Sequence, residues 1–271
     1  MKNSARYKRI MIRGFKLVII VYGLGGILLW HFQEYLLLHP KAVSTSLSYN
    51  FQIPHKELLL PVTEKDSLSI VQFQTSIPRK GLILFFHGNR ENITRYVRYA
   101  KALTQKGYDV WMTDYPGFGK TTGAFTEARV YQDARLLYQL AGKHFSCDSI
   151  IIYGKSLGTG IAAELASRFC CKRLILETPY CSIPQLAGHY FPFYPTKRMS
   201  RYQFPVYEYL SGVKAPVTIF HGTRDEVIPY SHALRLKKQL KNQDIFITVQ
   251  EAKHSNLLEF VYFNQMLKSY L

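Results

Sequence analysis

The chain has 271 residues, enough for one well-buried domain of about 200 to 250 residues and a short appendage. Hydrophobic residues at 47% and charged residues at 20% exclude a long disordered tract. The formal charge of +17 fits either nucleic acid or an anionic membrane surface, but the cations are scattered and no helix-turn-helix, zinc-finger or RNA-binding signature occurs, so nucleic acid is set aside as a partner.

Six cations fall within the first sixteen residues, Lys2, Arg6, Lys8, Arg9, Arg13 and Lys16, with no acid among them. They run into an uncharged apolar stretch from Leu17 to Trp30, which extends through Phe32 and, past Glu34, to Leu38. That is slightly short of the roughly 20 residues that span a bilayer comfortably. A cleaved signal peptide begins the same way but ends in small residues, whereas Trp30-His-Phe-Gln-Glu-Tyr follows here. The expected organisation is a basic cytoplasmic segment over 1–16, an uncleaved single-pass anchor over 17–38 and one domain over 45–271. The excess of cations before the apolar run puts the domain on the extracytoplasmic side, periplasmic or lumenal. A buried first helix of the domain is the alternative. The rest of the chain keeps 29 basic against 18 acidic residues, which suits phospholipid headgroups or simply a solvated surface.

Leu58-Leu-Leu-Pro-Val-Thr63 and the alternating Ser69-Ile-Val-Gln-Phe-Gln74 predict leading antiparallel strands. From Gly81 onward, short and fully apolar runs alternate with helix-length segments. The runs are 82–86, 110–113, 149–153, 174–177, 217–220 and 245–249, and the helices are expected at 92–107, 126–143, 157–169, 231–241 and 256–270. This rhythm predicts an α/β fold with a doubly wound, mostly parallel sheet covered on both faces. One interval, about 180–215, breaks it with four prolines and nine aromatics, and is expected to be an irregular cap insertion. Cys147, Cys170, Cys171 and Cys181 have neither CxxC pairing nor histidines at zinc spacing, so no metal site is expected. A disulfide involving Cys181 and buried free thiols at Cys170 and Cys171 both remain open.

The apolar run ending at Tyr153 leads into Gly154-Lys-Ser-Leu-Gly158 and then a helical segment. Strand, G-x-S-x-G and helix together make a sharp turn on which a serine is lifted clear of the backbone, and the flanking glycines leave it room. A serine hydroxyl becomes a useful nucleophile when an imidazole takes its proton and a carboxylate orients that imidazole. Both partners follow in order, each after a late buried strand: Asp225 in His221-Gly-Thr-Arg-Asp225-Glu226, and His254 after Gln250-Glu-Ala-Lys253. Glu226 is the rival carboxylate. The turn Phe86-His87-Gly88-Asn89 ends an earlier strand, and the backbone N–H groups of Asn89 and Leu157 are the expected oxyanion hole. Gly119-Lys-Thr-Thr is no nucleotide loop, because the first glycine that the motif requires upstream is absent.

The chain resembles the α/β-hydrolase superfamily, particularly small membrane-anchored α/β-hydrolase domain proteins grouped beside the serine aminopeptidases. The resemblance covers roughly 30–270 and rests on Phe32-Gln-Glu, His39-Pro40, His87-Gly-Asn, Asp114-Tyr-Pro-Gly-Phe-Gly, Tyr153-Gly-Lys-Ser-Leu-Gly-Thr-Gly, His221-Gly-Thr-Arg-Asp and Lys253-His-Ser-Asn. It implies cofactor-free hydrolysis through an acyl-enzyme, on an ester, thioester, lipid or peptide. Pro116 and Lys120 stand where the family more often has Arg and Ser, a departure that bears on the pocket. The favoured expectation is a carboxylic ester or thioester hydrolase, with a lipid-like acyl substrate and the cap covering an apolar pocket. A peptidase of the same fold and a non-catalytic membrane-bound interaction protein are the alternatives.

Overall fold

The apolar runs form the centre of an eight-stranded sheet in a computed structural model that describes residues 2–271, with side chains from Arg6 onward. In chain order the strands are β1 (His55–Pro61), β2 (Ser67–Phe73), β3 (Gly81–Phe86), β4 (Tyr108–Thr113), β5 (Ile150–Lys155), β6 (Arg173–Glu177), β7 (Val217–Gly222) and β8 (Ile245–Val249). Their order across the sheet is β8-β7-β6-β5-β3-β4-β2-β1. The first six in that order are parallel, while β2 runs antiparallel to both β4 and β1. Strands β3, β4 and β5 are buried along their whole length, as a sheet covered on both faces requires.

Helices α2 (Ile93–Thr104) and α9 (Val261–Ser269) cover one face, and α3 (Glu127–Ala141) and α4 (Gly158–Arg168) the other. Local chemistry sets where they begin. The Asn92 side chain accepts the Thr94 N–H and the Thr126 hydroxyl accepts the Arg129 N–H, so each caps donors that the helix cannot satisfy itself. Each fully buried Leu or Ile on the facing surfaces contributes about 1.5–3 kcal/mol. Between β7 and β8 the helix is shorter than expected: α8 spans only Tyr230–Leu236 before a 3-10 turn.

The cap is more regular than its prolines suggest. It folds into α5 (Ile183–Tyr190), α6 (Thr196–Met199) and α7 (Val206–Gly212). Pro184 lies in the first turn of α5, behind an N-cap at Ser182, and Pro195 and Pro205 stand immediately before α6 and α7. At these positions the missing N–H costs no helical hydrogen bond, so proline starts helices rather than breaking them.

The N-terminal helix α1 runs without interruption from Lys2 to Leu37. It therefore includes the basic segment expected to precede the anchor, since Lys and Arg are good helix formers. Its Arg6–Leu37 portion is long and apolar enough to cross a membrane. After α1 the chain is tied to the domain by a short parallel pairing of His39–Pro40 with Arg90–Glu91.

The disulfide joins Cys147 to Cys170, with Cα atoms 5.7 Å apart, while Cys181 is a buried free thiol. This decides between the readings left open: Cys181 is not in the disulfide and Cys170 is. Cys147 precedes β5 and Cys170 precedes β6, and the parallel register of those neighbours brings their entry points together. Burial raises the Cys181 thiol to about 11, so it stays protonated.

Candidate active site

The turn after β5 holds Ser156 at φ +51°, a conformation a non-glycine residue adopts only under constraint. The constraint is crowding. A Cβ at Gly154 would lie 2.7 Å from Ala162 Cβ, and one at Gly158 would lie 2.7 Å from the His87 carbonyl oxygen. The Ser156 N–H donates to the Glu177 carbonyl at 2.9 Å, which ties the turn to the end of β6.

Loops after β7 and β8 bring Asp225 and His254 to this serine. His254 Nε2 is 3.0 Å from Ser156 Oγ, and His254 Nδ1 is 2.8 Å from Asp225 Oδ2. The carboxylate can only accept, so Nδ1 carries the proton and Nε2 of the neutral ring is left to accept from the serine. The other oxygen, Asp225 Oδ1, accepts the N–H groups of Val227 and Ile228 at 2.9 and 2.8 Å. Burial pushes the Asp225 carboxyl up, but the hydrogen bond and charge of His254, the Ile228 N–H and His221 outweigh it and hold the group below its ordinary value. Glu226, the rival carboxylate, instead lies on the wall of the pocket that Ser156 also lines.

His221 and His87 serve the surroundings. His221 is buried at the end of β7, its Nε2–H donating to the Ile228 carbonyl at 2.8 Å, with Asp225 Oδ2 at 3.3 Å. Burial lowers its pKa despite the nearby carboxylate, so the ring braces the Asp225 loop as a neutral group. His87 is fully buried between the rings of Tyr96 and Tyr115, and its Nδ1–H donates to the Gly88 carbonyl at 2.7 Å. Among the described residues, the N–H groups of Asn89 and Leu157 donate to no protein acceptor. Both residues line the same pocket as Ser156, and Leu157 caps α4, whose positive dipole end faces the serine.

Two parts of the site were not read from the sequence. The first is a buried charge pair beneath the serine. Lys155 Nζ bonds to Glu177, which also receives the hydroxyls of Tyr99 and Tyr153, and the same ammonium donates to the His254 carbonyl at 3.0 Å. A glutamate closing an apolar strand and a lysine inside the serine turn were the available signal, because buried charges require partners.

The second is the pocket wall. The cavity beside Ser156 has a volume of about 370 Å³, and cap residues such as Ile183, Leu186 and Tyr194 line one side of it. Helix α1 lines it as well, through Leu29, Gln33, Leu36 and Leu37. Gln33 accepts the Arg201 N–H at 2.7 Å and donates to the Met199 carbonyl at 3.3 Å, while Glu34 receives Arg201 and Tyr202 at 3.2 and 3.1 Å. Lys120, where the sequence departs from the resemblance, lies away from this cavity; it pairs with Glu57 and sits 4.2 Å over the Tyr49 ring.

Residues 77–202 match the family described as serine aminopeptidase, S33. Alpha/beta hydrolase domain-containing protein 17C of Xenopus tropicalis is 30% identical over 193 residues, covering 70% of this chain and 61% of that protein. Human alpha/beta hydrolase domain-containing protein 17B is 28% identical over 220 residues, 79% of this chain and 75% of that one. The chain belongs to the α/β-hydrolase superfamily. Its fold is that of other α/β-hydrolases. An esterase from Pyrococcus furiosus superposes with a TM-score of 0.68 at 16% identity, over 87% of this chain and 96% of that one. An α/β-hydrolase from Vibrio vulnificus gives 0.65 at 24% identity, over 80% and 81%. This α/β-hydrolase spans about three fifths of the length of the 17C relatives it matches.

Proposed function

We propose that this α/β-hydrolase is a membrane-anchored serine hydrolase that cleaves a carboxylic ester or thioester with an apolar acyl group. The observation that carries the reading is the Ser156–His254–Asp225 hydrogen-bonded chain at the edge of an apolar cavity. Ser156 Oγ attacks the acyl carbon as its proton passes to His254 Nε2, and Asp225 stabilises the imidazolium. The oxyanion develops toward the N–H groups of Asn89 and Leu157. As the tetrahedral intermediate collapses, His254 returns the proton to the departing alcohol or thiol, leaving acyl-Ser156. Water, deprotonated by the same imidazole, then attacks the acyl-serine; the carboxylic acid leaves and Ser156 regains its proton.

Glu226 is the sole carboxylate among the cavity-lining residues, and the walls are chiefly Leu, Ile and aromatic. That favours an acyl group over a peptide with a free α-amine. Six cations before the apolar stretch, together with a disulfide, favour a cytoplasmic N-terminus and a domain in an oxidising compartment.

A fluorophosphonate probe tests the chemistry directly. Wild-type protein should be labelled and Ser156→Ala should not; a folded wild-type protein that resists labelling sinks the proposal. Asp225→Asn should keep the fold but lower kcat by about four orders of magnitude, since Nδ1 loses the acceptor that sets its tautomer.

A further inference from the structure

Within the described α1 side chains, five positions are partly buried: Gly25, Gly26, Leu29, Gln33 and Leu37. Their spacing of three and four residues puts them on one helix face. The upper part of that face receives the cap. Tyr194 stacks on Tyr22 with ring centroids 4.7 Å apart and donates to the Tyr22 carbonyl at 3.2 Å, and Tyr22 donates to the Phe193 carbonyl at 2.8 Å. A Cβ at Gly25 would overlap the Tyr194 hydroxyl, and one at Gly26 would lie 3.4 Å from the Tyr194 ring. The two glycines thus make the notch that lets the cap approach. Below the notch, Leu29, Gln33 and Leu37 face the cavity shared with Ser156.

The level of this contact along the helix matters. Tyr22 lies inside the apolar run, fifteen residues before Leu37, the end of α1 that joins the domain, so the cap follows the helix for about 22 Å from that end. Phe193, whose carbonyl accepts the Tyr22 hydroxyl, is 83% exposed, and Tyr190 is half exposed. If α1 spans a bilayer, these aromatics meet hydrocarbon or the interface, the zone such rings favour, and not bulk water. The seam between α1 and the cap then opens to the lipid.

We infer that α1 is a wall of the substrate pocket as well as an anchor, and that the acyl chain enters sideways from the bilayer between α1 and the cap. The substrate class is an ester or thioester whose acyl chain is already dissolved in the membrane. This rests on the serine-hydrolase reading of Ser156. It adds that Leu29 sets acyl-chain preference and that Gly25 governs the closeness of the cap.

The test uses the full chain in phosphatidylcholine vesicles, with 4-methylumbelliferyl palmitate dissolved in the bilayer and the water-soluble butyrate ester as its reference. Gly25→Leu keeps the helix apolar but fills the notch, and should lower the palmitate-to-butyrate ratio of kcat/KM by about tenfold, the scale of misfit in an apolar pocket. Leu29→Trp, which leaves the notch intact and narrows the cavity, should shift the ratio in the same direction. Unchanged ratios in both variants overturn the wall; should Gly25→Leu not fold, Leu29→Trp decides alone. Fatty acid release from the vesicle lipid itself and from a palmitoyl thioester in the same vesicles separates the two sources of acyl chain, and release from neither overturns lateral entry. Fluorophosphonate labelling is read in parallel. Its loss in wild type condemns the hydrolase reading, whereas labelling with unchanged ratios condemns only the wall.

Discussion

Lys155 and Glu177 are both almost fully buried, and each reaches a different part of the site. Glu177 holds the Ser156 N–H through its carbonyl, and Lys155 holds the His254 loop through that residue's carbonyl. Removing only the lysine leaves a carboxylate buried with two tyrosine hydroxyls, so Lys155→Met should destabilise the domain by about 3 kcal/mol. Adding Glu177→Gln should restore much of that loss, because the uncompensated charge is gone. Urea unfolding of the single and double variants measures this, and equal stabilities would show that the pair is not coupled. If Lys155 also positions His254, kcat should fall in both variants with little change in KM. At this scale Ser156, Asp225 and His254 were legible because each lies in a short turn after an apolar strand. The Lys155–Glu177 pair was not, because its members are 22 positions apart and meet only once β5 and β6 lie side by side.

Two elements carry information that their composition conceals. The density of proline and aromatics predicts an irregular cap, whereas the cap helices place proline at or before their first turn. The disulfide lies at the entry ends of β5 and β6, a pairing that follows from strand register and is absent from cysteine spacing alone. It closes a loop with a sequence separation of 23, so Cys147→Ser should lower stability by about 3 kcal/mol without altering the chain-length ratio. The loop and helix after β7 should be sensitive to acid. Burial, with Arg235, His189 and His221, lowers His232 to about 4, and burial lowers His221 as well. A pKa below its unfolded value, about 6.5, means that the folded state favours the neutral ring. The resulting stability is complete above pH about 6.5 and is lost as pH falls toward 4. His232→Gln should flatten that slope in a series of urea midpoints, and an unaltered slope would assign the loss elsewhere.

Across the whole molecule, the doubly wound sheet was readable because its central strands are apolar on both faces and recur with helices between them. The placement of α1 against the cap was not. An apolar helix offers lipid and protein nearly the same chemistry, so hydropathy alone cannot tell which face is shielded. The Gly25–Gly26 notch distinguishes that face only when Tyr194, remote in sequence, is seen to fill it. The proposed orientation makes its own demand: protease added outside intact cells or spheroplasts should digest the domain and spare the segment around 1–16. Protection of the domain there, with digestion after lysis, would reverse the topology.

The leucines that face Ser156 from α1 carry a constraint of a different kind. Exchanging Leu29 for Ile, Met or Phe leaves span length and hydropathy almost unchanged, so membrane insertion exerts little selection against such a change. Yet each exchange reshapes the space beside the serine. If the proposed function holds, the chain contains a stretch in which substrate preference can drift without loss of anchoring, and proteins with equally apolar N-termini can differ in what they cleave. Comparing anchors by hydropathy would miss those differences; comparing the side chains at 25, 29, 33 and 37 would reveal them.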